Sequence, residues 1–134
     1  MFLALFSLTL ADGPADTVSA FHDALARGDS VAVMRALADD VVIFESGYAE
    51  RSAAEYASHH LGADMAFNAA TTTTVEDQQV STAGDAAWVL TWSHTTGTWH
   101  DRPVDSHGVE TMVLRHTPDG WRIAHIHWSS RRGG

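Results

Sequence analysis

The sequence predicts an α+β domain, with helices first and then a curved antiparallel sheet. Three observations carry that prediction. Apolar residues recur at helical spacing between Pro14 and Leu37. An almost continuous apolar run, VVIFES at 41–46, has the look of a covered strand. From Ala69 onward, long segments alternate in polarity and are joined by short turns.

The first eleven residues, MFLALFSLTLA, are apolar and end in a small residue before Asp12. They resemble the later part of a secretory signal, though the basic leading region is missing and the run is too short to span a bilayer. The expectation is a signal remnant over 1–11, a single domain over 12–134, and a periplasmic or secreted location; otherwise the protein is cytoplasmic. Asp12-Gly13-Pro14 opens a first helix, capped by Asp12 or Asp16, with Val18, Phe21, His22, Leu25 and Ala26 on its apolar stripe. His22 reads as a helix residue at the edge of the core. Gly28 stops this helix. Asp29 or Ser30 caps a second one, which Asp39-Asp40 ends.

Glu45 is the single charge in the VVIFES strand, so burial would require a partner or a raised pKa. Gly47 breaks the strand. Ser52, with Glu55 three residues on, has the capping-box pattern for a third helix through Tyr56 and His59-His60 to about Leu61. Gly62 ends or kinks it, and 64–68 adds one more turn. Tyr56 and His60 share a face at i, i+4. Strands then follow over 71–81, 86–98, 106–116 and 120–130. On the last, strict alternation puts Trp121, Ile123, His125, His127 and Ser129 on one face. Large apolar groups on both faces mark this strand as central. His125, His127 and Ser129 are therefore expected to look into a polar pocket, or to be core histidines satisfied by neighbours.

Composition excludes much. With 134 residues, 45% hydrophobic and 19% charged, the chain is long enough for one domain with a core. A net charge of -9 argues against a nucleic-acid partner. All 8 basic residues are Arg, so lysine Schiff-base chemistry is ruled out, and the lack of Cys excludes disulfides and thiolate chemistry. No glycine-rich phosphate loop or dinucleotide fingerprint occurs, and no cofactor is expected. Gly-x-Ser-x-Gly is absent, so Ser129 is not an elbow nucleophile.

Two chemistries remain for the residues. Glu45 with His127 can act as a general acid/base pair. Glu45, His60, His125 and His127 include the donors for a divalent metal if a third ligand approaches the His-x-His pair. Of the tryptophans Trp88, Trp92, Trp99, Trp121 and Trp128, some could wall a ligand site, and most read as core or interface.

Element order and motifs together resemble the nuclear transport factor 2-like superfamily. The ending DGWRIAHIHWSS is similar to the terminal strand of the association domain of calcium/calmodulin-dependent kinase II and of its bacterial SnoaL-like and DUF4440-type relatives. VVIFESG and AERSAAEYASHHL fit the first strand and third helix. The resemblance covers roughly 14–131. It implies a cone, with a long bent sheet wrapped around N-terminal helices and a pocket inside. It also implies a homodimer or larger assembly through the outer sheet face. Activity is not implied, because the superfamily holds isomerases, cyclases, dehydratases and non-catalytic binders. The catalytic set of ketosteroid isomerase, an aspartate base with tyrosine and aspartic acid donors, is not carried over. The iota-class carbonic anhydrases end in His-His-His-Ser-Ser; here His125-Ile126-His127-Trp128-Ser129-Ser130 keeps two of the three His and both Ser.

The functional expectation is a SnoaL-like pocket domain holding a small polar or anionic ligand. Its ligand-binding residues would come from Tyr56, His60, Trp92, Arg115, His125, His127 and Ser129, with Arg115 or Arg122 turned inward if the ligand is an anion. The alternatives are a hydratase, dehydratase or isomerase using Glu45 and a His, and a His-based metal binder.

Overall fold

Gly13 caps α1 (Pro14–Arg27), and its N–H donates to the Asp16 carboxylate at 2.9 Å. Pro14 begins the helix where its missing N–H costs nothing. The helix ends at Gly28, at φ 71°, whose N–H returns to the Leu25 carbonyl. Asp29 then caps α2 (Ser30–Ala36) by accepting from the Ala32 N–H at 3.0 Å. These details come from a computed structural model that describes residues 13–133. The expected signal segment, 1–11, lies outside the described residues.

The chain passes directly from α2 into β1 (Leu37–Glu45). Asp39-Asp40 is therefore part of the strand rather than the helix end, as the sequence had suggested. A tight turn through Ser46 and Gly47 leads to the short β2 (Tyr48–Glu50), which the sequence did not reveal. Ser52 caps α3 (Ala53–His59), its hydroxyl accepting from the Glu55 N–H at 3.1 Å, while Glu55 accepts from the Arg51 N–H. The chain breaks at His60, with φ -128°, and re-forms a helix as α4 (Leu61–Ala70). Where one further turn was expected, ten residues form. Gly62 lies inside the first turn of α4 and does not end a helix.

The sheet is completed by β3 (Thr71–Ala83), β4 (Ala86–Trp99), β5 (Arg102–Thr117) and β6 (Gly120–Arg132). Its order is β2-β1-β6-β5-β4-β3. The α+β class is as expected: helices pack on a curved, unclosed sheet. The pairing is mixed, because β1 runs parallel to β6 while every other pair is antiparallel.

One irregularity decides what each face carries. Leu114 pairs with Ile123 and Val113 with His125, so Ala124 is an extra residue in β6. A strict period of two would have put Ile123 and Ile126 on opposite faces. The bulge returns both to one face, where each is fully buried, and Trp121 and Trp128 pack against the same core. That face closes over Val18, Phe21, Leu25, Val33, Val41 and Ile43. The large apolar groups of β6 therefore share a single face, and the strand is not apolar on both.

Candidate functional site

The inner sheet face is apolar at one end and polar at the other. Along β5 it runs from Leu114 and Met112, both fully buried, to Glu110, only 9% exposed. Glu110 Oε2 lies 2.8 Å from His22 Nε2 and accepts from the Trp128 indole N–H at 2.7 Å. Its other oxygen, Oε1, is buried without a hydrogen-bond partner. Such an atom is costly in an apolar setting, so it marks a place where something polar belongs. Burial opposes a charge on His22, but the Glu110 carboxylate outweighs it and raises the imidazole pKa overall.

A cavity of about 410 Å³ opens beside this group, and a second of about 210 Å³ adjoins that cavity. They share Glu45, Ser46 and Asp64. The larger also touches His22, Glu110 and Trp128, with Trp99 and Phe67 as further aromatic wall. The smaller is bounded by Tyr56, His60 and Glu50. Tyr56 is 1% exposed, and its hydroxyl donates to Asp64 Oδ2 at 2.7 Å. Burial pushes the Asp64 carboxyl above the usual carboxylate range, against the opposing pull of Tyr56 and His60. Burial also raises Glu45, with the Asp64 charge adding to it and His60 opposing. Glu45 remains accessible at the cavity mouth, so its shift says less about stability than that of Asp64. Burial and Asp64 together raise the Tyr56 hydroxyl, keeping it a donor at neutral pH. Glu50 behaves oppositely. Burial would raise it, but hydrogen bonds from His59 and His60 hold it below the ordinary range.

The structure brings together some of the residues expected from sequence and separates others. Glu45, Tyr56 and His60 do meet at one cavity. His125 and His127 are on the opposite sheet face. His125 Nδ1 lies 2.7 Å from the Val42 carbonyl, and His127 is exposed with its ring edge-on to Phe44. Glu45 therefore does not pair with His127, and the set Glu45, His60, His125 and His127 is split between the two faces. The expected shared pocket rested on unbroken alternation, which the bulge at Ala124 interrupts. Trp92 is also on the outer face, 37% exposed. Arg115 does not turn inward: it pairs with Asp40 at the surface. Arg122 donates to the neighbouring Trp121 carbonyl. Ser129 is exposed at the cavity rim, beside Ser130.

Three participants escaped the sequence reading. Asp64 is in a helix whose extent was underestimated. His22 was read as an edge residue, yet it lines the larger cavity. Glu110 had a signal of the kind that drew attention to Glu45, since it is an acid sharing a strand face with Met112 and Leu114.

The comparisons agree with this fold. The SnoaL-like domain family matches residues 15–132. A search of the curated proteins finds no match. Among solved structures, a candidate ketosteroid isomerase from Shewanella frigidimarina is 41% identical, with TM-score 0.84 over 87% of this chain and 94% of its own. The calcium/calmodulin-dependent kinase II hub of S. rosetta is 26% identical, with TM-score 0.70 over 91% of this chain and 100% of its own. A candidate dehydratase from Streptomyces avermitilis, of the nuclear transport factor 2-like family, is 24% identical, with TM-score 0.71 over 89% of this chain and 94% of its own.

Proposed function

The chain belongs to the SnoaL-like domain family of the nuclear transport factor 2-like fold, and on that footing we propose that it is a small-molecule acid–base enzyme. The observation that carries the proposal is the Glu45–Asp64 pair, two carboxylates bordering one cavity and both raised above the ordinary range. A carboxyl so raised exchanges protons more readily near neutral pH. Glu45, at the accessible mouth, takes the proton from the substrate. Asp64, held by the Tyr56 hydroxyl, places a second carboxylate nearby whose charge helps to raise Glu45. His22, with its charge supported by Glu110, faces the larger cavity as a donor to an oxygen on which negative charge develops. The reaction class is removal and return of a proton beside a carbonyl, as in an isomerisation or a dehydration. The 41% identity to a candidate ketosteroid isomerase supports that class.

Of the small polar or anionic ligands expected from the sequence, an anion fits less well. Among the described residues no Arg lines either cavity, and Glu45, Asp64 and Glu110 make their walls acidic. An uncharged molecule with an apolar body suits the Trp99, Trp128 and Phe67 wall better. The test is solvent deuterium exchange into small enolisable ketones, followed by NMR. Wild-type protein accelerates exchange, and Glu45→Gln lowers the rate by about 100-fold or more. Ligand quenching of tryptophan fluorescence with no exchange in any ketone would leave a binding module instead.

We also propose that the outer sheet face joins two or more copies. Phe44, Trp88, Trp92 and Val109 are each between 37% and 49% exposed on it, a costly set to leave wet. Similarity to a kinase hub supports this reading. Light scattering at micromolar concentration should give at least a dimer, and Trp92→Arg should lower the mass. A monomeric wild type would overturn it.

A further inference from the structure

The outer face holds a second cluster that the proposed chemistry does not use. His94 of β4 and His107 of β5 are direct cross-strand partners. Their rings stack at 4.5 Å between centroids and 7° between planes. Asp105 is two residues before His107, so it falls on the same face, diagonal to His94. Its Oδ1 is 2.6 Å from His94 Nε2. Glu76 adds a fourth group. It is the extra residue of a bulge between Val75 and Asp77 in β3, and its Oε1 is 3.7 Å from His107 Nδ1.

We propose that His94, Asp105 and His107 form a divalent-cation site, with Zn²⁺ as the fitting ion and Glu76 as its outer carboxylate. One ligand atom from each of the three lies within 4.8 Å of the others. Zinc with bonds of about 2.0–2.2 Å needs its donors closer than that. All the side chains concerned are at least one-third exposed, so ordinary rotation closes the gap. Two imidazoles and one carboxylate are a zinc donor set of the open kind, leaving a fourth position for water. Two stacked imidazolium rings would repel, whereas a single cation shared between neutral rings removes that conflict. Asp105 and Glu76 together carry the two negative charges that balance a divalent ion. The strands position these groups: antiparallel register sets the histidine pair, the two-residue period sets Asp105, and the β3 bulge turns Glu76 toward them.

The site is distinct from the metal set that the sequence suggested, and the experiment separates the two. Tag-free full-length protein, treated with a chelator and dialysed, is titrated with zinc chloride by calorimetry. The expected result is one zinc per chain. The double variant His94→Gln, His107→Gln should weaken binding by about 10-fold or more, while His125→Gln, His127→Gln should bind as wild type. Circular dichroism checks that each variant is folded, and Asp105→Asn provides an independent variant with a milder change. Absence of zinc binding in the wild type overturns the proposal. So does wild-type affinity in both the His94/His107 variant and Asp105→Asn, or a loss confined to the His125/His127 variant.

Discussion

The two faces of β6 share a backbone and differ in what they demand. Inward, Ile123 and Ile126 are fully buried, and Trp128 is hydrogen-bonded to a buried carboxylate. Outward, His125 hydrogen-bonds to a backbone carbonyl and sits edge-on to Phe44, and His127 is exposed. The histidines attract notice in the sequence, but the isoleucines beside them hold the fold together. Chemical interest and structural weight therefore fall on opposite sides of one strand.

The most severe test of that contrast is a pair of truncations. Ile126→Ala should cost about 2–5 kcal/mol in urea unfolding, from lost burial and the cavity left behind. His127→Ala should stay within about 0.5 kcal/mol. Equal losses would mean that the two faces are not distinct. Next, Glu110→Ala leaves His22 and the Trp128 indole without their acceptor and should cost about 1–3 kcal/mol. Unchanged stability would show that the polar end of the inner face is not integrated with the core.

Asp64→Asn should act in the other direction. The folded Asp64 pKa is raised, so the wild type is relatively stabilised below the unfolded value of about 3.8 and loses that advantage as pH rises through the folded pKa. The amide still accepts from Tyr56 and has no charge to desolvate. The variant should therefore be more stable than wild type at pH 7, and the gain should vanish in acid. Thermal melts at both pH values check the sign. The smallest effect is spectroscopic. In the wild type His22 should titrate above its usual 6.5, and in Glu110→Gln it should fall, because burial is then opposed only by the weaker pull of Asp23. An NMR midpoint that ignores the substitution would uncouple the pair.

Much of the fold was legible because local chemistry and global structure agree. Ser52 and Glu55 announced α3, Gly28 and Asp29 marked the first helix junction, and Glu45 stood out as a lone charge in an apolar strand. The bulge at Ala124 was not legible, since alanine suits either face and only the partner strand defines the register. Asp64 was hidden for a different reason. Its chemistry depends on Tyr56, eight residues earlier, across a break that falls at His60 and not at Gly62, where the sequence placed it.

The parallel pairing of β1 with β6 also sets an order of events. Val42 meets His125 across 83 residues of chain, so the contact spans most of the domain. On a ribosome, the meander of β3, β4 and β5 can pair as each turn emerges. β1, made early, must wait with Val41 and Ile43 uncovered until the last strand is released. Completion of the sheet is then tied to the arrival of β6, and the early apolar strand spends that interval as the segment most open to misassociation. Asp39 and Asp40 lie within it, two like charges that discourage a second nascent chain from pairing there.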